Sequence, residues 1–122
     1  MPKFVELDAH VTLAQQLADE DGPVILINSF SVAPEEADAL LAAWTRDAAI
    51  MKAQPGFIST QLHRGIAGSS AFLNQAVWES TAHFRAAFGQ KAFRDALANY
   101  PASTVATPHL FRKVGVPSIC VA

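Results

Sequence analysis

Residues 57–79, FISTQLHRGIAGSSAFLNQAVWE, read as two strands joined by a short turn. From Phe57 to Ile66 the alternation puts Ile58, Thr60, Leu62, Arg64 and Ile66 on one face, with Phe57, Ser59, Gln61 and His63 on the other. Ala67-Gly68-Ser69-Ser70 has turn composition, so the next strand, from about Ala71 to Glu79, is expected to fold back as a hairpin. In that strand Phe72, Asn74, Ala76 and Trp78 share a face, opposite Leu73, Gln75 and Val77.

Upstream, Pro55-Gly56 stops a helical stripe of Ala37, Leu40, Leu41, Trp44, Ala48 and Met51. Pro34 suits the first turn of that helix, and Glu35, Glu36 and Asp38 favour its positive end. Before it, Val24 to Val32 is rich in β-formers and reads as a strand. Downstream, Ser80 can cap a helix carrying Ala82, Phe84, Arg85 and Phe88. Gly89 interrupts, Lys91 to Asn99 continues as a second helical piece, and a fourth strand is expected at 109–116, before Pro117. Thr12 can cap a short helix to Asp19, and Asp21-Gly22-Pro23 is a turn signal.

The order β-α-β-β-α-β is the split βαβ arrangement of ferredoxin-like α+β domains, with one antiparallel sheet covered by helices on one side. The uncovered face needs a partner, which leads to an expected homodimer. Residues 1–22 are expected as an N-terminal extension, 23–116 as the domain and 117–122 as a tail.

Composition narrows the function. The chain has 122 residues, 51% hydrophobic and 16% charged, which fits one globular domain and neither a disordered tail nor a coiled coil. No apolar run is long enough to span a membrane. The acidic start, MPKFVELDAH, is unlike a secretory leader. Cys120 is the single cysteine, so no internal disulfide or cysteine zinc site is possible and a cytoplasmic location is expected. Residues 1–61 hold nine acids and three bases, whereas 62–122 hold two acids and six bases. Six scattered bases do not make a phosphate-tracking surface, so no nucleic acid partner is expected. No two of the four histidines have metal-ligand spacing, and the scattered glycines make no phosphate loop.

Asn74 and Trp78 are the first candidates for chemistry, roughly 13 Å apart along a strand and suited to bracketing a flat ligand. The amide offers donors and an acceptor without charge, and the indole offers a stacking face and one N–H. On spacing alone the same pair also fits a backbone-satisfied Asn and a core-filling Trp. His63 could face the sheet interior and accept a proton, or be a structural histidine.

Asn74-Gln75-Ala76-Val77-Trp78-Glu79-Ser80 followed by Ala82-His83-Phe84-Arg85 resembles the signature stretch of the antibiotic biosynthesis monooxygenase family. So does Gln54-Pro55-Gly56-Phe57-Ile58-Ser59-Thr60, and the resemblance covers roughly residues 23–116. It implies a dimeric α+β barrel and oxidation of a phenol to a quinone with O₂ and no cofactor. It implies catalytic roles for Asn74, Trp78 and, allowing a short deletion near Gly89, Arg94. Phe72, Phe84, Phe88, His63 and Asn28 complete the expected substrate-binding set.

Phe84 stands where the family carries a Tyr, so a proton relay through that hydroxyl is not expected here. This departure favours the alternative of a non-catalytic ligand-binding or stress-response dimer. A haem-degrading branch shares an Asn at Asn28 but needs a His near Leu97 and a Trp near Ala87, which argues against haem.

Overall fold

The computed structural model describes residues 1–19 and 22–122, so Asp21 of the expected turn lies outside the described residues. The elements are β1 (Lys3–Phe4), α1 (Leu13–Gln16), β2 (Val24–Ser31), α2 (Ala37–Lys52), β3 (Phe57–Arg64), β4 (Ala71–Trp78), α3 (Thr81–Phe88), α4 (Lys91–Ala96) and β5 (Val105–Phe111). Short 3₁₀ turns at Pro34–Glu36 and Leu97–Asn99 lead into α2 and follow α4. Two caps fall where the sequence puts them. Thr12 makes a capping box with Gln15 on α1, and the Ser80 hydroxyl accepts from the His83 N–H on α3.

The five strands form one sheet in the order β1-β5-β2-β4-β3, with β1 parallel to β5 and the other pairs antiparallel. The protein is α+β, but the expected antiparallel sheet and α+β barrel are not what the chain builds. The sheet is mixed because β1 adds in parallel. It is open because β1 and β3 are its two edges, three strands apart. Closure needs more strands and a consistent stagger, and a two-residue edge strand cannot supply them.

The last strand also sits earlier than expected, at Val105–Phe111. Pro108 lies inside it, opposite Asn28 of β2. The strand tolerates proline because that residue's backbone points to the β1 side, where β1 has already made its last bond, Val5 N–H to Ala106 O at 2.9 Å. Beyond Pro108 the Gln16 side chain completes this edge. Its Nε2 donates to Leu110 O at 3.0 Å and its Oε1 accepts from Leu110 N–H at 2.9 Å. A side chain of α1 thus substitutes for a neighbouring strand and leaves no bare edge there.

The helices cover one face, where Leu26, Phe30, Leu40, Ala76, Trp78, Phe84 and Phe93 form part of the core. Among the described residues, no helix is long and apolar enough to cross a membrane.

Candidate active site

Between the sheet and the helices lies a cavity walled by aromatic and aliphatic side chains, with a few polar groups. Strands β2 and β4 supply two asparagines directly opposite one another, Asn28 and Asn74. Period-two alternation turns both amides to the helix side, together with Leu26, Ala76 and Trp78. The Thr60 hydroxyl donates to Asn74 Oδ1 at 2.6 Å, which orients that amide and leaves its N–H groups as the donors it can offer a ligand. Asn28 Oδ1 and Trp78 Nε1 are buried and have no hydrogen-bond partner among the described residues. Buried polar atoms are nearly always satisfied, so an unpartnered acceptor and donor on one wall point to a ligand.

Phe57 and Thr60 both line the cavity, although strict alternation puts them on opposite faces. The cause is a shift of register between Phe57 and Ser59, a β-bulge that returns Phe57 to the inner side and leaves Ile58 53% exposed. The expected grouping of Ile58 with Thr60 is corrected accordingly. Gly56 makes the turn into this strand at φ +85°, and a Cβ there would overlap the His83 ring. From the inner side, aromatic rings run in series across the cavity. Phe57 meets Trp78 edge-on at 5.4 Å between centroids, Trp78 meets Phe84 at 5.7 Å, and Phe84 meets Phe88 at 5.5 Å.

Helix α2 contributes Trp44, Asp47, Ala48 and Met51. Asp47 lies three residues after Trp44 and four before Met51, hence on the buried stripe of the helix. Tyr100 faces it. Its backbone is extended because Pro101 follows, and its hydroxyl donates to Asp47 Oδ2 at 2.7 Å. Phe30 stacks on the tyrosine ring at 5.9 Å. Burial pushes the Asp47 carboxyl up from 3.8 to about 6, and the Tyr100 hydrogen bond holds it lower than burial alone would. Burial, then the Asp47 charge, hold the Tyr100 phenol well above its ordinary range.

Asn28, Asn74, Trp78, Phe84 and Phe88 therefore meet on one cavity. The structure does not bring Phe72, His63 or Arg94 to it. Phe72 is buried beside the cavity with the Arg64 guanidinium over its ring at 5.1 Å. His63 is exposed on the opposite face of the sheet, its Nδ1 3.3 Å from Leu73 O. Arg94 is exposed on α4 and borders an outer groove that shares Phe4, Phe88, Phe93, Leu97 and Pro108 with the cavity wall. Sequence reasoning missed Thr60, Asp47 and Tyr100, and also Pro2 and Phe4, which the N-terminal segment contributes. Among the described residues, no three His, Cys, Asp or Glu side chains gather as a metal cluster.

An open α+β sheet carrying paired amides and an indole over an aromatic cavity is the frame of a protein that binds a flat small molecule. Residues 23–99 match the antibiotic biosynthesis monooxygenase family, and the chain belongs to it. SnoaB, a cofactor-independent oxygenase from Streptomyces nogalater, is 27% identical, with 80% of this chain and 99% of that one covered and a TM-score of 0.68. An asparagine-to-alanine variant of SnoaB matches at 28% identity over 79% of this chain and 97% of that one, TM-score 0.67. A candidate monooxygenase from Shewanella loihica PV-4 is 32% identical, covering 81% of this chain and all of that one at a TM-score of 0.66. No curated protein matches the sequence at a significant level.

Proposed function

We infer that this protein is a cofactor-independent monooxygenase that oxidises an aromatic or polyphenolic small molecule with O₂, converting a phenol to a quinone. The observation that carries the reading is the wall of Asn28, Asn74 and Trp78, neutral polar groups set in an aromatic cavity with Asn28 Oδ1 and Trp78 Nε1 unpartnered. The likeness to SnoaB supports it. An electron-rich phenolate passes an electron to O₂ without a metal or flavin, so the protein's part is to hold, ionise and shield it. The Asn74 amide donates to the substrate oxygen, Asn28 Oδ1 accepts from a substrate hydroxyl, and Trp78, Phe84 and Phe88 stack on the rings and exclude water. Phe84 has no hydroxyl, so a relay through this position has no counterpart here. Arg94 stands on the outer groove and not on the cavity wall, and takes no part in this reading.

An engineered cavity of about 150 Å³ admits benzene. This one measures about 50 Å³, so substrate entry displaces wall residues. Pro2 and Phe4 are the natural ones to move, since the strand there is the two-residue β1, which includes Phe4 and follows Pro2. A homodimer is part of the same reading. The face of the sheet away from the helices carries Ile25, Ile27, Leu73 and Val77, and the tail exposes Val114, Ile119 and Val121.

Oxygen uptake with a panel of hydroxynaphthalenes and anthrones tests the activity. Uptake that appears with the protein and falls in Asn74→Ala is expected. Saturable binding with no uptake from any of them would instead favour the non-catalytic ligand-binding dimer.

A further inference from the structure

Asp47 and Tyr100 are the two titratable side chains on the cavity wall among the described residues, and nothing in the roles above uses them. Carboxylates are rarely buried without a cation, and no Lys or Arg lines this cavity. Lys3 of β1, Arg46 of α2 and Arg94 of α4 are all exposed, and the sheet strands present only neutral groups here. The nearest terminal charge, the Met1 ammonium, donates to the Tyr100 carbonyl oxygen at 3.4 Å and not to the carboxylate. One partner is fixed: the Tyr100 hydroxyl binds Oδ2 at 2.7 Å. Oδ1 is then the oxygen available to a ligand.

We propose that Asp47 is the base that takes the proton from the substrate's phenolic hydroxyl, with Tyr100 positioning the carboxylate. The proposal rests on the phenol-oxidising reading. The O–H bond breaks with its electron pair left on the aryl oxygen, and the proton moves to Asp47. The phenolate carbon then adds O₂ through electron transfer, giving a peroxide anion. Asp47 returns its proton to that anion, and the hydroperoxide loses water across its C–H and O–O bonds to leave the quinone carbonyl. One O₂ enters and one H₂O leaves, and Asp47 ends the cycle ionised. A base poised slightly below neutral is ionised at working pH yet still able to return its proton.

Two readouts test this, one of them independent of turnover. Para-nitrophenol reports its own ionisation by colour. Held against an ionised Asp47, its colour change is expected at a higher pH in the wild-type complex than in Asp47→Asn, because a second negative charge beside the carboxylate is repelled. With an oxidisable hydroxynaphthalene, wild-type kcat is expected to rise through about pH 6 to a plateau. Asp47→Asn should lose about 100-fold or more of it and the rise as well. Tyr100→Phe keeps the carboxylate but removes the hydrogen bond that lowers its pKa. Its kcat should therefore rise at higher pH than in the wild type, a shift that a merely structural tyrosine would not cause. The proposal is overturned if bound nitrophenol ionises alike in wild type and Asp47→Asn, or, should that variant not fold, if Tyr100→Phe leaves the pH dependence of kcat unmoved. Absent oxygen uptake alongside an Asp47-dependent shift of the nitrophenol titration would overturn the oxygenase reading and leave Asp47 assigned to the phenolic hydroxyl.

Discussion

Replacing Asp47 by Asn is expected to stabilise the protein, and to do so only where the carboxylate would be ionised. Its pKa rises from 3.8 to about 6 on folding, mainly because burial penalises the charged form. A group held above its unfolded value favours the folded state below that value and loses this contribution as pH rises through the folded one. The full cost of the charge is therefore felt above about pH 6 and vanishes below about pH 4. At 1.36 kcal/mol per pH unit it amounts to about 3 kcal/mol, an upper figure because the side chain is not wholly enclosed. Asn keeps an oxygen for the Tyr100 hydroxyl and carries no charge at any pH. For a chain of this length, with about 4 °C of melting temperature per kcal/mol, the gain is expected to be about 5–10 °C at pH 8. It should shrink to nothing near pH 4. Thermal unfolding of both proteins followed by circular dichroism at pH 4, 6 and 8 measures the difference, and other titrating groups cancel in it. A variant that melts lower throughout, or higher by the same margin at every pH, would refute the burial argument.

Asn28→Leu removes a buried acceptor without a protein partner, so stability should hold or rise slightly while oxygen uptake falls about 10-fold or more; melting and uptake on the same preparation check the split. Trp78→Phe keeps a ring but deletes the unpartnered Nε1–H, and is expected to weaken phenol binding by about 10-fold, measured by calorimetry. Gln16→Ala leaves the Leu110 backbone groups unpaired at the sheet edge and should cost about 1–3 kcal/mol in chemical denaturation. Sedimentation at micromolar concentration is expected to give twice 13.0 kDa, and a stable monomer would end the homodimer proposal.

The parts of the fold that could be read from the sequence are those in which neighbouring residues carry the signal. The β3–β4 hairpin follows from alternation and a small-residue turn, the α2 stripe from helical spacing, and the α1 and α3 starts from Thr12 and Ser80. What escaped is what distant residues decide. Lys3 and Phe4 are too short a run to show a period, and they become a strand only because β5 has a free edge. Pro108 reads as a breaker until the end of β1 at Phe4 makes its missing N–H harmless. The bulge at Phe57–Ser59 displaces one face of β3 by a residue, which composition does not reveal. In the site, Asn28, Asn74, Trp78, Phe84 and Phe88 were legible from strand and helix positions. Asp47 was legible in principle, as a carboxylate at helical spacing from Leu40, Trp44 and Met51. Its partner Tyr100 is 53 residues away and joins it only through the tertiary fold.

The placement of charge in the cavity selects among ligand classes. The sheet side presents amides and an indole, held by the continuous pairing of β2 with β4, and all of them neutral. The helix side presents one carboxylate and no cation among the described lining residues. Above pH 6 a phosphorylated or carboxylated ligand would meet an ionised Asp47 in a poorly solvated space, where like charges repel far more than in water. A permanent cation would be attracted but could not use the unpartnered Asn28 acceptor and Trp78 donor together. A neutral phenol satisfies every constraint at once. It enters uncharged, its rings cover the aromatic wall, and its hydroxyl can give up a proton to the one group able to take it. The negative charge then moves from Asp47 to the ligand, so the cavity holds a single charge before and after the transfer. That conservation of charge is what allows a site without a metal or a neighbouring cation to ionise its substrate.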